Sequence, residues 1–159
     1  MKRLLILGAG QYGVVAKEIA QAMNCFSEIL FLDDSSEAAV GKLEDIENME
    51  HDLAFVAIGN ANVRERWLGR IDRAVTLIHP KAEISPSATI GEGSIVEAGA
   101  VISAGANVGK GAIVMANAAV GHNATVGEYC QLKYNCSIPE NRIVPDKTVV
   151  ECISIWRNL

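Results

Sequence analysis

Long apolar runs, basic clusters and paired cysteines are all absent from this 159-residue chain, and each absence removes a class of function. The opening MKRLLILGAG holds four consecutive apolar residues before a glycine-rich turn, too few for a signal peptide. No later run approaches the roughly 20 residues of a membrane span, so no membrane partner is expected. The formal charge is −5 with no basic block, which argues against nucleic acid and anionic lipid. The four cysteines, Cys25, Cys130, Cys136 and Cys152, form no CxxC pair. They read as buried thiols of a reducing compartment, and the expected location is cytoplasmic.

Two kinds of order fill the chain instead. From Lys2 to Leu7 the strand pattern KRLLIL leads into Gly8-Ala9-Gly10-Gln11-Tyr12-Gly13 and a helical pattern with Val14, Val15, Ile19 and Ala20 on one face. This is GxGxxG in strand-turn-helix context, where main-chain N–H groups at a helix N-terminus meet phosphate. A second strand, EILFLDD, ends at Asp33 and Asp34. Asp33 lies 20 residues after Gly13, the spacing at which a carboxylate meets a ribose hydroxyl. A third strand, LAFVAIGN, ends at Gly59-Asn60, the helical NVRERWLGRI follows, and a fourth strand, AVTLI, closes an α/β half-Rossmann domain over residues 1–78. A complete dinucleotide fold needs a second βαβ half, which the chain lacks.

Beyond that point the period changes to six. Ile84, Ile90, Val96, Ile102, Val108, Val114, Val120, Val126, Leu132, Ile138, Val144 and Val150 recur without a slip. Three residues after members of this series stand Gly93, Gly99, Gly105 and Gly111, then Asn117, Asn123, Asn135 and Asn141, the types that tolerate left-handed dihedrals. A small residue comes one position later for most of the run. A short strand and a turn every six residues, with one branched side chain inward, describes a three-sided parallel β-helix of about four coils over residues 79–159. One inward side chain per hexad is a thin core, so the flat outer faces are expected to pack against other copies of the chain. The N-terminal domain is expected to cover one open end, and the tail SIWRNL with Trp156 the other.

His122 is the one imidazole within the hexads. Two residues past Val120 and beside Asn123, it is expected to project from a corner of the prism. His51 lies in a polar loop, and His79 precedes Pro80 at the domain junction, where a structural role is expected.

The repeat resembles the left-handed parallel β-helix of the hexapeptide-repeat proteins, and the handedness rests on that resemblance. The GxGxxG half-domain ending in FLDD and AIGN, the IHP junction and the coils with a GHN triplet together resemble the bacterial sialic-acid O-acetyltransferase and nucleotide-amino-sugar N-acetyltransferase family. The resemblance spans nearly the whole chain. It implies a homotrimeric enzyme, without a metal, that moves an acetyl group from acetyl-CoA to the amine or hydroxyl of a nucleotide-linked sugar. It implies His122 as general base, because imidazole exchanges a proton near neutral pH, with Asn123 beside it. It assigns Gly10, Gln11, Tyr12 and Gly13 to the diphosphate or sugar, Asp33 and Asp34 to the nucleoside, and Gly59 and Asn60 to the pocket's edge. Gln131 and the main-chain N–H of Glu140, which stacks over His122, fall to acetyl-CoA and its thioester oxygen.

This chain departs from the family at Asn123, where an acidic residue is usual, at Gln131, where a second histidine is common, and at Tyr12, where many members have histidine. The repeat also decays after Leu132, with Pro139, Arg142 and Pro145 at positions that are otherwise small or able to donate. These departures fit a second reading, a catalytically weakened trimeric scaffold that binds a nucleotide-sugar. A metal-dependent hydratase on the same β-helix would need three converging histidines, and only His122 lies in the coils.

Overall fold

The computed structural model describes residues 1–157. Strand β1 (Lys2–Leu7) is the centre of a parallel sheet, flanked by β2 (Phe26–Leu32) and β3 (Leu53–Val56). Leu4 to Leu7 are wholly buried, as an unbroken apolar run must be when both faces of a parallel strand are covered. Helix α1 (Gln11–Met23) buries Gly13, Ala16, Ile19 and Ala20. Val14, expected on that face, is 47% exposed. Gly13 sets the phase of the helix, since a Cβ there would stand 2.1 Å from the Gly8 carbonyl oxygen and only glycine fits against the strand. Helix α2 (Ala61–Leu68) follows β3 and is capped by Asn60, whose side-chain oxygen accepts from the Val63 N–H at 3.1 Å.

The fourth strand expected in AVTLI is not part of this sheet. Ala74 makes an isolated bridge to Ala54, while Leu77–Ile78 pairs with Ile95–Val96 and begins the prism. Ile78 lies six residues before Ile84, so the hexad register claims it.

The prism has three parallel faces. The first stacks Leu77–Ile78, Ile95–Val96, Ile113–Val114, Gln131–Leu132 and Val149–Val150. The second stacks Glu83–Ile84, Val101–Ile102, Ala119–Val120 and Ser137–Ile138. The third stacks Thr89–Ile90, Asn107–Val108, Thr125–Val126 and Ile143–Val144. The second residue of each pair points inward, and these side chains with the small residues Ala100, Ala106, Ala112, Ala118, Ala124, Cys130 and Cys136 form one continuous core.

Positive φ recurs at the corners, at the expected asparagines and also at Tyr129 and Lys147. For Tyr129 that conformation costs on the order of 1–3 kcal/mol. Burial of its ring, 4% exposed, in a cluster with Trp67 and Leu68 of α2 offsets the strain.

The N-terminal domain lies along the first face and not over the prism's lower end. Leu77, Ile95, Ile113 and Met115 share an apolar cluster with Ala16 and Ile19 of α1, whereas Ile84 and Ile90 at the lower end stay half-buried. The upper end is covered by Trp156, which packs against the core, donates its main-chain N–H to Ser137 at 2.8 Å and its indole N–H to Ile143 at 3.2 Å. Asn158 and Leu159 of the same tail fall outside the described residues. Cys130 and Cys136 are buried as expected, but Cys25, just past the end of α1, and Cys152, on the last coil, are exposed. Among the described residues no helix is long and apolar enough to cross a membrane.

Candidate functional site

Gly8 carries a φ of +101°, which lets β1 turn directly into α1. At Gly10 nothing lies within 4 Å of where a Cβ would stand, so the helix N-terminus opens onto a cradle. The main-chain N–H groups of Gly10, Gln11 and Tyr12 have no partner among the described residues. Gly59 is open in the same way, while Asn60 is committed to capping α2.

Asp33 is held from four directions. Oδ2 accepts from the Ala9 N–H at 2.8 Å, and Oδ1 from the N–H groups of Ser35 and Ser36 at 2.9 and 3.1 Å and from Ser35 Oγ at 3.2 Å. The carboxylate thereby ties the end of β2 to the glycine loop. These donors, the Ala9 N–H foremost, hold its pKa below the usual carboxylate value. A depressed folded pKa contributes stability above the unfolded value of about 4 and loses it as pH falls through the folded one. Asp33→Asn, whose NH2 would face a donor, is therefore expected to melt below wild type at neutral pH, with the gap closing on acidification. Melts from about pH 7 to about pH 2 read this directly, and a gap that ignores pH would contradict it. Asp34 accepts from the Leu43 N–H at 3.1 Å.

Tyr12 reaches from the loop to the prism. Its hydroxyl donates to Glu97 Oε1 at 3.2 Å, and Glu97 Oε2 accepts from the Ala116 N–H at 3.1 Å. Burial raises both pKa values: it outweighs the two hydrogen bonds at Glu97, and at Tyr12 the nearby Glu97 charge adds to it. Gln131 stands on the outward side of the first face with its amide 4.0 Å from Met115 Sδ, and Met115 packs in the same cluster as Tyr12. Gln131 thus lies on the face of the prism that carries Met115, away from the His122 edge.

His122 is exposed at the corner between the second and third faces, the edge opposite the first. Its carbonyl accepts from the Asn141 N–H at 3.0 Å. The neighbouring Asn123 has φ 57°, and its side-chain oxygen lies 2.3 Å from where a Cβ on Gly105 would stand, so the carboxamide covers the coil below. One coil above, the Glu140 nitrogen lies 2.6 Å from where a Cβ on Gly121 would stand, and it has no hydrogen-bond partner among the described residues. The same close approach recurs at Gly91, Gly109 and Gly127, so glycine at this position serves coil stacking first.

One chain therefore gathers Gly10 to Gly13, Asp33, Asp34, Gly59 and Asn60 at the carboxyl ends of the strands, where open α/β sheets bind ligands, with Gln131 on the prism face that the loop overlies. It gathers His122, Asn123 and Glu140 at the far edge and does not unite the two groups. A polar cavity of about 460 Å³ lined by Arg3, Glu28, Glu50, His51, Asp52 and Arg73 lies at the opposite ends of the strands, where Arg3 pairs with Glu28 and Glu50. His79 braces the junction, accepting from the Lys81 N–H at 3.0 Å.

Sequence reasoning missed Glu97, Tyr129 and Arg64. The signals were anomalies within otherwise regular patterns. Glu97 is a charge among small corner residues, Tyr129 stands in the glycine and asparagine column, and Arg64 shares the apolar face of α2 with Trp67 and Leu68. Arg64 is 1% exposed, and burial lowers its pKa from the ordinary guanidinium value.

Residues 3–71 match the family model of the PglD N-terminal domain. No curated protein sequence matches the chain. Among solved structures, the acetyltransferase domain of PglB from Neisseria gonorrhoeae is similar with a TM-score of 0.77 and 27% identity, covering 96% of this chain and 92% of that one. The same domain has been solved in complex with acetyl coenzyme A. PerB from Caulobacter crescentus, in complex with CoA and GDP-perosamine, is similar with a TM-score of 0.62 and 26% identity, covering 97% and 91%. WeeI from Acinetobacter baumannii, at 18% identity, shares the fold. These matches bear out an α/β domain followed by a left-handed parallel β-helix, and the resemblance to the hexapeptide-repeat sugar acetyltransferases.

Proposed function

We propose that this chain, a member of the hexapeptide-repeat sugar acetyltransferase family, moves an acetyl group from acetyl-CoA to the amine or hydroxyl of a nucleotide-linked sugar, with His122 as general base. The α/β domain that precedes Leu77 holds the nucleotide-sugar, and the β-helix that begins at Leu77–Ile78 carries the transfer. The observation behind this reading is His122, the single imidazole of the coils, exposed at a prism edge below the N–H of Glu140, which has no partner among the described residues. The acceptor atom attacks the thioester carbonyl, and its bond to carbon forms as the C–S bond breaks. The proton passes to His122 and on to the departing thiolate. Negative charge developing on the thioester oxygen is met by the Glu140 N–H.

Because His122 stands opposite the face that carries the glycine loop, a complete site takes His122 from one chain and the sugar pocket from the next in a homotrimer. Val101 on the second face and Ile143 on the third, 41% and 62% exposed, supply apolar surface for that packing.

A second reading, a nucleotide-sugar-binding scaffold, is favoured by Asn123, which gives an imidazolium no charge partner. Incubation with acetyl-CoA and UDP-, GDP- or CMP-linked 4-amino sugars separates the two. Release of coenzyme thiol with at least one sugar is expected. Calorimetric binding of a nucleotide-sugar with neither thiol release nor acetyl-CoA binding would establish the scaffold instead.

A further inference from the structure

We infer that Arg64 is a positioning residue whose guanidinium fixes the wall of the nucleotide-sugar pocket to the β-helix and so sets where the sugar arrives. The inference rests on the pocket assigned above. Among the described residues no carboxylate pairs with Arg64, and its charge is met by four main-chain carbonyls. Nη1 donates to Ile58 and Gly59 at 2.9 and 2.8 Å, on the loop between β3 and α2. Nε donates to Gly111 at 2.6 Å and Nη2 to Tyr129 at 2.8 Å, residues that occupy the same corner of successive coils. One planar group therefore grips the pocket's edge on one side and two stacked coils on the other.

A buried cation is a weak source of stability, because an apolar side chain of similar volume fills the same space without desolvating a charge. What an apolar side chain lacks is the rigid fork of N–H donors that fixes both distance and angle. The surroundings add to that register. Leu68 packs over Gly93 so closely that a Cβ there would meet it at 2.6 Å, and Tyr129 inserts its ring beside Gly111. Gly59 is held by its carbonyl while the space for a side chain stays open, so the same peptide is anchored by Arg64 and walls the pocket.

The test has a catalytic arm and a geometric arm. In the catalytic arm, Arg64→Met is expected to lower kcat about 10²-fold, the effect of misplacing reacting groups by roughly 1 Å. Nucleotide-sugar Kd stays within about threefold, and Arg64→Lys recovers part of kcat. In the geometric arm, nitroxides are placed on the exposed native thiols Cys25 and Cys152, one on each domain, with labelled chains diluted into unlabelled ones. Wild type should give a narrow distance distribution, Arg64→Lys a broader one and Arg64→Met the broadest. Glu65→Ala, which removes only the exposed Lys147 ion pair between the same two elements, should leave it narrow. Unchanged kcat and an unchanged distribution in Arg64→Met would overturn the inference, as would Kd and kcat failing in step. Where Arg64→Met does not fold, Arg64→Lys decides on the same criteria. If wild type transfers no acetyl group, the proposed function fails while the distance distributions still decide the role of Arg64.

Discussion

Alanine at position 122 is expected to lower kcat/KM for acetyl transfer by about 10²- to 10⁴-fold, the contribution of a positioned general base, without loosening nucleotide-sugar binding. The imidazole is exposed and takes no part in the core, and among the described residues the residue's one hydrogen bond runs through its carbonyl to Asn141. Truncation therefore leaves the coil intact, and lost activity reports lost chemistry. Thiol release gives the rate and calorimetry the Kd. Turnover at the wild-type level would remove His122 from the mechanism.

The same variant tests whether the site is shared between chains. Gly10→Val puts a side chain into the open cradle and leaves His122 untouched, so each variant lacks a different half of the site. In a trimer each site needs an intact His122 from one chain and an intact loop from its neighbour. Equal mixing of the two inactive chains should then restore about a quarter of wild-type activity by random assortment. A mixture that stays inactive would place both halves within one chain, against the topology that sets them on opposite sides of the prism.

The repeat was legible because its period is local. Every inward residue from Ile84 to Val150 takes its expected place, and the corner asparagines adopt the left-handed conformation their side chains tolerate. What the periodicity did not carry is the contact between domains. Tyr129 and Lys147 share the left-handed corner, although neither residue type signals it, because Tyr129 is held there by burial against α2. Leu77–Ile78 reads as the end of one pattern and folds as the start of the other. Arg64 reads as one more charge on a polar helix, and only its helical spacing from Trp67 and Leu68 marks it as buried. In the candidate site, the glycine loop and His122 were visible as motifs, whereas Asp33 as a loop brace and Glu97 as the partner of Tyr12 emerge only when strands distant in sequence meet.

Gly13→Ala offers the sharpest contrast between local preference and packing. In a helix interior alanine is favoured over glycine by about 1 kcal/mol, so propensity alone makes this a stabilising change. The new methyl would, however, stand 2.1 Å from the Gly8 carbonyl oxygen and 3.0 Å from its carbon, both main-chain atoms that no rotamer change can move. Relief requires α1 to lift away from β1, opening the cluster of Leu4, Ile6, Ala16 and Ile19. Such overpacking costs about 3 kcal/mol, which outweighs the propensity gain. The net loss of about 2 kcal/mol lowers Tm by about 4–8 °C in a chain of this length. Gly10→Ala is the matched control, since its φ of −74° suits any residue and its methyl meets nothing within 4 Å. That variant should melt within about 3 °C of wild type and lose nucleotide-sugar affinity, because the methyl occupies the cradle. A Gly13→Ala protein more stable than wild type would mean that the glycine is not there for packing, and the fit of α1 against the strand would lose its explanation.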